Sequence, residues 1–164
     1  MTTEEIYTDA LDDTYLEWAE LGDTPYLQNT DADYIRINLN AKTEGDWTFP
    51  ASDGSGTINS VKLRFEAMVQ AVNSYDATAY VWDGASWVNI GDLGIVSTSY
   101  AWYEKDVSAI LNTWAKINGA KVRLVSWVSG AAKYIYVRRL TRKVDYSAAI
   151  IGGIQGDGLT FATT

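Results

Sequence analysis

Two glutamates are the residues of this sequence best suited to acid–base chemistry. The chain contains no histidine and no cysteine, which excludes catalytic triads, imidazole catalysis and cysteine-ligated metals. Paired carboxylates remain, and Glu66 and Glu104 both lie beside aromatic residues; a retaining glycosidase needs only two such groups. However, Glu66 shares a strand face with Lys62 and Arg64, and Lys105 follows Glu104. The sequence therefore predicts solvated, ion-paired glutamates and no enzymatic activity.

Clustered carboxylates are the residues that could hold calcium, because Ca²⁺ prefers carboxylate and carbonyl oxygens. The densest groups are Asp12-Asp13 and Asp31-Ala32-Asp33. Neither has the spacing of an EF-hand loop, and the glycine-rich run at 152–158 follows no parallel strand and opens no helix. Turn formation and solubility explain these acidic groups, so we predict no metal and no cofactor.

Planar aromatic rings are the third kind of chemically useful group. The chain has 7 Trp and 11 Tyr, and exposed rings can stack on the apolar C–H faces of sugars. Core packing is the competing interpretation for each ring, since aromatic residues are favoured in strands. Alternation along the chain indicates a candidate aromatic binding face, which consists of Tyr80, Trp82, Tyr100, Trp102 and Trp127.

The elements that must position these rings are strands. From Val61 to Val72 apolar and polar residues alternate strictly, which predicts a long strand with one wet face. The inward residues of that strand are predicted to be Leu63, Phe65, Ala67 and Val69. Asp83-Gly84 between two aromatic runs predicts a hairpin.

One segment has helical spacing. Asp106 is predicted to cap a helix over Val107–Trp114, and Asn118-Gly119 to end it. With 164 residues, the chain has the length of one domain. We predict an all-β fold: a two-sheet antiparallel β-sandwich of jelly-roll type, with one short helix and an extended C-terminal arm.

The C-terminal arm differs in composition from the rest of the chain. Residues 147–164 are rich in glycine and carry one charged residue, whereas a free tail should be polar. We therefore divide the chain into a domain at 1–146 and an arm at 147–164. The arm is expected to dock on a sheet edge or groove of a neighbouring copy, through Ile150, Ile151, Ile154, Leu159 and Phe161.

Charge is distributed unevenly around a net of −8. Residues 1–60 hold 13 acidic and 2 basic residues, and residues 61–164 hold 8 acidic and 11 basic residues. The acidic stretch either lies beside the basic strand of the same domain or meets the basic strand of the next copy in a head-to-tail assembly. That basic strand contains Lys133, Arg138, Arg139, Arg142 and Lys143.

The same charge pattern limits the partners. A net negative charge argues against nucleic acid. No apolar run approaches the roughly 18 residues of a membrane span, so no membrane insertion is expected. No basic n-region is visible at the start of the sequence, so we expect no signal peptide in it.

Residues 5–146 resemble jelly-roll β-sandwich modules of the galactose-binding-like or carbohydrate-binding-module-like kind, which occur on microbial surface proteins and in phage virions. The resemblance is carried by Thr24–Leu27, Asp31–Ile37, Ile58–Val72, Val81–Val88 and Asp106–Trp114. It implies a sandwich fold and a glycan as a possible partner. Many such modules hold a structural calcium, for which Glu4, Glu5 and Asp145 would be the corresponding residues. The ligand motif is missing, so the metal is not carried over.

These observations favour a non-enzymatic structural or assembly protein. A virion decoration protein, a capsid-associated protein or a surface-layer component fits best, with copies of itself or a larger assembly as partners and the virion or cell surface as its location. A carbohydrate-binding module is the alternative, and a small β-jelly-roll glycosidase is the third.

Overall fold

Two antiparallel β-sheets make up the described part of the chain. The structure is a computed structural model, and it describes residues 1–8, 10–11, 19–21, 34–37, 43–70, 76–127 and 135–148. In chain order its elements are β1 (Thr2–Tyr7), β2 (Ala10–Leu11), β3 (Ala19–Leu21), β4 (Tyr34–Ile37), β5 (Thr43–Thr48), β6 (Thr57–Val69), β7 (Asp76–Trp82), β8 (Trp87–Asp92), β9 (Ala101–Asp106), α1 (Trp114–Asn118), β10 (Lys121–Trp127) and β11 (Ile135–Ser147).

The strands divide between a six-stranded sheet and a five-stranded sheet. Sheet A has the order β3-β4-β11-β6-β9, and β1 also pairs with β11. Sheet B has the order β2-β5-β10-β7-β8. All of these pairs are antiparallel, which confirms the predicted two-sheet antiparallel sandwich with one short helix.

The core lies between the sheets and is built by strand alternation. Leu63, Phe65 and Ala67 of β6 are fully buried, and Val69 is 2% exposed. This confirms the predicted register of β6. The inward residues of sheet B join the same hydrophobic cluster, among them Ala79, Val81, Val122 and Leu124. Because both sheets bury one face in one core, their outward faces lie on opposite sides of the molecule.

The predicted hairpin between β7 and β8 is present. The Asp83 side chain accepts hydrogen bonds from the backbone N–H groups of Ala85 at 2.9 Å and Ser86 at 2.8 Å. Gly84 has φ +99°, a conformation that residues with a Cβ rarely adopt. The turn therefore follows from its aspartate and its glycine.

The helix begins later than the sequence predicted. Asp106 accepts hydrogen bonds from the backbone N–H and the hydroxyl of Ser108, as an N-cap residue would, but only a single turn follows, in which the N–H groups of Ile110 and Leu111 donate to the Val107 carbonyl. Helix α1 spans Trp114–Asn118 with Thr113 as its N-cap, and Gly119 ends it as predicted. The turn after Asp106 and helix α1 are therefore separate, because the Thr113 side chain accepts from the N–H of Lys116 and begins a new helix.

The acidic N-terminus lies beside the basic strand of the same chain. Strand β1 pairs with β11, which places Glu5 opposite Lys143. The Glu5 carboxylate accepts hydrogen bonds from Arg64 at 2.5 Å and from Thr141 at 2.8 Å. For residues 2–7, the first of the two alternatives for the charge asymmetry is therefore the one that the structure shows.

Arg142, one residue of the predicted basic strand, points into the core. It lies opposite Leu63 in the β11–β6 ladder and is fully buried. Its guanidinium donates to the backbone carbonyls of Ile117 at 2.5 Å and Pro50 at 2.9 Å, and it lies against the ring of Phe49. It thereby ties the last turn of α1 to the segment after β5.

No helix among the described residues is long and apolar enough to cross a membrane.

Candidate functional site

Aromatic side chains gather on the outward face of sheet B, on the hairpin of β7 and β8. Trp82 and Trp87 lie directly opposite each other, with ring centroids 5.6 Å apart and ring planes at 62°. Tyr80 precedes Trp82 by two residues and shares its face. The intervening Ala79 and Val81 are fully buried. Strand alternation therefore holds the three half-buried rings outward.

An arginine–aspartate pair supports these rings. The Nε and Nη2 atoms of Arg123 donate to the two carboxylate oxygens of Asp46 at 2.7 Å and 2.8 Å. The Arg123 Cζ atom lies 4.3 Å from the ring centroid of Trp87. Two parallel hydrogen bonds fix the guanidinium plane, and the cation is attracted to the indole face. We call this surface the β7–β8 face; it consists of Tyr80, Trp82, Trp87, Arg123 and Asp46.

Polar groups border the β7–β8 face. Asn89 lies opposite Tyr80 in the ladder and is exposed. Its side-chain oxygen accepts a hydrogen bond from the backbone N–H of Gly91 at 2.7 Å, which leaves the amide NH₂ group as a donor. The surface thus combines flat apolar rings with fixed hydrogen-bonding groups. Such a surface can stack against the C–H face of a sugar and hydrogen-bond to its hydroxyl groups.

A second aromatic surface lies on sheet A, on the opposite side of the sandwich. Trp102 of β9 is 36% exposed, and the Arg64 Cζ atom lies 4.4 Å from its ring centroid. Arg64 also donates to Glu104 at 2.9 Å and to Glu5 at 2.5 Å. Sheet B carries the same groups: a tryptophan on the last strand and an arginine over its ring. Two carboxylates hold the arginine on sheet A, and one holds it on sheet B.

Tyr100 extends this second surface, and a β-bulge in β11 makes the extension possible. The bulge places two residues, Arg138 and Arg139, against the single residue Glu66. Arg138 donates to Glu66 twice, at 2.6 Å and 2.8 Å, and Arg139 lies 3.2 Å from it. The Arg138 Cζ atom lies 4.3 Å from the ring centroid of Tyr100. We call the surface formed by Tyr100, Trp102, Arg64 and Arg138 the β9 face.

Glu66 is ion-paired as predicted but is not solvated. It is 5% exposed, because the two arginines of the bulge cover its carboxylate. Alternation correctly places Glu66 on the outward face of β6, but the bulge brings a second arginine over it and so removes its contact with solvent.

Glu104 is also ion-paired, at the exposed edge of sheet A. Hydrogen bonding from Lys62, at 3.1 Å, and the nearby charge of Arg64 lower the pKa of the Glu104 carboxyl. A general acid needs a pKa raised towards neutral pH. The partners of Glu104 act in the opposite direction, so the structure gives this residue the properties of an ion-pair partner.

The three carboxylates that the resemblance implied for calcium have separate protein partners. The hydroxyls of Thr3 and Ser60 donate to Asp145 at 2.5 Å and 2.9 Å, and these hydrogen bonds lower its pKa. The Glu4 carboxylate accepts a hydrogen bond from the Ser52 hydroxyl. The Glu5 carboxylate accepts hydrogen bonds from Arg64 and Thr141. Among the residues that the structure describes, no three acidic side chains form a cluster that could hold a metal ion.

The five aromatic residues predicted as one binding face lie on two sheets. Tyr80 and Trp82 belong to sheet B, and Trp127 is the last residue of β10 in that sheet. Trp102 lies in sheet A, and Tyr100 comes one residue before its strand β9. The prediction of a single face is therefore wrong, because the chain crosses from sheet B to sheet A between β8 and β9.

Sequence reasoning missed three members of the β7–β8 face. Trp87 could have been found, because it follows the Asp-Gly turn at the position that pairs with Trp82. Asp46 and Arg123 are 77 residues apart, and no local pattern links them.

Lys133 of the predicted basic strand lies outside the described part of the chain, and so do two groups of predicted residues. The first is the acidic pairs at 12–13 and 31–33. The second is the arm residues Ile150, Ile151, Ile154, Leu159 and Phe161.

The fold is similar to that of solved carbohydrate-binding modules. A module described as carbohydrate binding module family 29 aligns with a TM-score of 0.50 and 14% identity over 87% of this chain and 88% of that chain. A variant of a family 29 module with arginine in place of a glutamate gives a TM-score of 0.50 and 14% identity over 87% and 91%. A variant of a family 29 module with alanine in place of an arginine gives a TM-score of 0.50 and 13% identity, over 86% of this chain and 91% of that chain.

No protein-family model and no curated protein sequence matches the chain. At 13–14% identity the structural likeness defines the fold alone. The chain has the all-β sandwich fold found in these carbohydrate-binding modules.

Proposed function

We propose that this chain is a non-catalytic carbohydrate-binding domain that binds a neutral glycan through the β7–β8 face. The observation that carries the proposal is the outward tryptophan pair, Trp82 and Trp87, continued by Tyr80 and supported by the Arg123–Asp46 pair. A fold shared with carbohydrate-binding modules supports the same conclusion.

Charge pairing favours a neutral glycan over an anionic one. Each arginine described on the two aromatic faces already binds a carboxylate: Arg123 binds Asp46, Arg64 binds Glu5 and Glu104, and Arg138 binds Glu66. A glycan carrying uronate or sulfate groups would have to compete with these carboxylates. A neutral sugar needs only ring contact and hydrogen bonds.

Ring stacking sets the scale of the expected affinity. One face of an aromatic side chain buries roughly 100 Å², about half of its total area. At about 25 cal/mol per Å², two rings contribute roughly 5 kcal/mol. Association entropy and ordering of the glycan offset part of this gain. We therefore expect dissociation constants of about a millimolar.

The two glutamates support a binding function without catalysis. Glu66 is covered by two arginines, and the pKa of Glu104 is lowered by Lys62. The lowered pKa of Glu104 disfavours the protonated carboxyl that a glycosidase uses as its acid, and the two arginines occupy the carboxylate of Glu66. We expect no release of reducing ends from soluble polysaccharides.

A structural or assembly role receives less support from the described residues. One of its main arguments was the charge asymmetry, and the contacts of β1 with β11 and Arg64 account for part of that asymmetry within one chain. A second argument for assembly was the apolar C-terminal arm, and its apolar residues lie outside the described part of the chain.

Affinity gel electrophoresis in soluble glucans, xylans and mannans tests the proposed function. The full chain is expected to be retarded by at least one of these polymers. Trp87→Ala should weaken retardation by about tenfold or more, because it removes one stacking ring. Trp87→Phe is the matched control, since it keeps an aromatic ring and should retain most of the binding. Unchanged retardation of Trp87→Ala, or no retardation of the full chain by any polymer, would refute the proposal.

A further inference from the structure

We propose that the β9 face is a second glycan-binding site, so that one copy of the chain can bridge two glycan chains. This inference rests on the proposed function of the β7–β8 face. Both outward surfaces of the sandwich carry a tryptophan on the last strand of a sheet, an arginine over its ring, and carboxylates that hold the arginine.

The correspondence between the two surfaces is close in geometry. On sheet B the Arg123 Cζ atom lies 4.3 Å from the Trp87 centroid, and on sheet A the Arg64 Cζ atom lies 4.4 Å from the Trp102 centroid. Each arginine reaches its ring from a strand nearer the middle of its sheet. On sheet A the arginine strand β6 is the direct neighbour of β9, whereas on sheet B strand β7 lies between the arginine strand β10 and β8. The two surfaces therefore share their chemical groups and the distance between arginine and ring, and surfaces with the same groups can take the same class of ligand.

The Trp102 ring is accessible to a ligand. It is 36% exposed, and Arg64 approaches it from the β6 side. Among the described strands, none lies beyond β9 in sheet A. The exposed third of the Trp102 side chain is the part that a sugar ring would contact.

Tyr100 gives the β9 face the length that a polysaccharide needs. It precedes Trp102 by two residues, a spacing of about 7 Å along an extended chain. Both rings lie on the arginine-bearing side of sheet A, Tyr100 against Arg138 and Trp102 against Arg64. Two successive rings can each contact a sugar of one glycan chain.

The two faces point in opposite directions, because both sheets bury their inner faces in one core. Packed sheets lie about 10 Å apart, with side chains projecting further on each side. A short oligosaccharide cannot contact both surfaces at once. Occupation of both surfaces therefore joins two separate glycan chains, or two distant parts of one long chain.

Stoichiometry and cross-linking together test the inference. The probes are the soluble glucan, xylan or mannan that retards the full chain most strongly, and a hexasaccharide prepared from it. The proteins are the full chain, Trp87→Ala, Trp102→Ala and the double variant; Trp102→Phe is the matched control. Calorimetry with the hexasaccharide gives the number of sites, and turbidity or viscosity with the polymer reports cross-linking. Thermal unfolding verifies that each variant is folded.

We expect two sites in the full chain, one in each single variant and none in the double variant. The polymer should bind the full chain about 100-fold or more tightly than either single variant, through avidity, and only the full chain and Trp102→Phe should cross-link it. One site in the full chain, unaffected by Trp102→Ala, would overturn the second site and leave the proposed function intact. Loss of all binding in Trp102→Ala alone would overturn both. No binding of any polymer by the full chain would refute the proposed function itself.

Discussion

Two glutamates on the outward side of sheet A form a matched pair for testing how burial determines the strength of an ion pair. Glu66 and Glu104 are the same residue type on neighbouring strands, and each binds arginine. Replacing either with glutamine removes one negative charge and preserves the shape of the side chain. We expect Glu66→Gln to destabilise the fold several times more than Glu104→Gln.

The magnitude for Glu66 follows from its surroundings. Its side chain is 7% exposed, and it accepts two hydrogen bonds from Arg138 and lies 3.2 Å from Arg139. Removing one partner of a fully buried ion pair costs about 3–5 kcal/mol. The two arginine side chains are 20% and 19% exposed, so water partly solvates them in the variant. We therefore expect a loss of about 2–4 kcal/mol in the free energy of unfolding.

The magnitude for Glu104 is smaller, because its side chain is 40% exposed. Solvent-exposed ion pairs are worth about 0.2–1 kcal/mol each. Glu104 binds Lys62 and Arg64, but Arg64 keeps a second partner in Glu5 when Glu104 is replaced. We expect Glu104→Gln to cost less than about 1 kcal/mol.

Urea unfolding of the two variants and the wild-type chain, at low and at high salt, measures the difference. The cost of Glu104→Gln should shrink at high salt, because salt screens exposed charges, whereas the cost of Glu66→Gln should persist. Equal costs for the two variants, or a loss below about 1 kcal/mol for Glu66→Gln, would refute the reasoning that the bulge buries Glu66. The same proteins, assayed for release of reducing ends, test whether either glutamate is catalytic.

Three further changes have defined outcomes. Phe65→Ala should lower the free energy of unfolding by about 3–5 kcal/mol in urea titrations, since its ring is fully buried; a loss below about 1 kcal/mol would contradict its core position. Asp145→Asn should reduce stability at neutral pH, because the hydroxyls of Thr3 and Ser60 lower the pKa of Asp145 in the folded state. That contribution is present above the ordinary carboxyl pKa of about 4 and is lost as the pH falls through the folded-state pKa, so the unfolding curves of variant and wild type should converge in acid; a difference that stays constant with pH would contradict it. A chain ending at Ala148 should keep the unfolding midpoint and the glycan binding of the full chain, because β11 ends at the preceding residue; equal monomeric masses of the two chains in light scattering would leave the arm without a role in assembly.

Local patterns were sufficient to predict the long strand and the hairpin. In β6 the alternation from Val61 onward specifies one buried face, since a shift by one residue would move every apolar side chain into water. The Asp83-Gly84 turn acts within a few residues, through the aspartate side chain and the positive φ of the glycine. The start of α1 was misplaced because a second N-cap residue, Thr113, begins the helix after the single turn that follows Asp106.

The sequence of strand β11 contains a signal for its β-bulge. Its buried apolar residues are Ile135 and Val137 before the bulge and Leu140 and Val144 after it. The first pair has odd numbers and the second has even numbers, so the alternation changes phase between them. A phase change within one strand is typical of a β-bulge. The same phase places Arg142 on the inward face, where the structure buries it.

The division of the aromatic residues between two faces could not be derived from periodicity. Alternation shows which residues share one face of one strand, but it does not assign the strand to a sheet. Strands β7 and β8 belong to sheet B, and the next strand, β9, belongs to sheet A. That crossover turns Trp82 and Trp102, which alternation alone would group together, to opposite sides of the molecule. A single binding face would let one copy of the chain bind one glycan chain, whereas the two opposed faces that we propose would let it cross-link two.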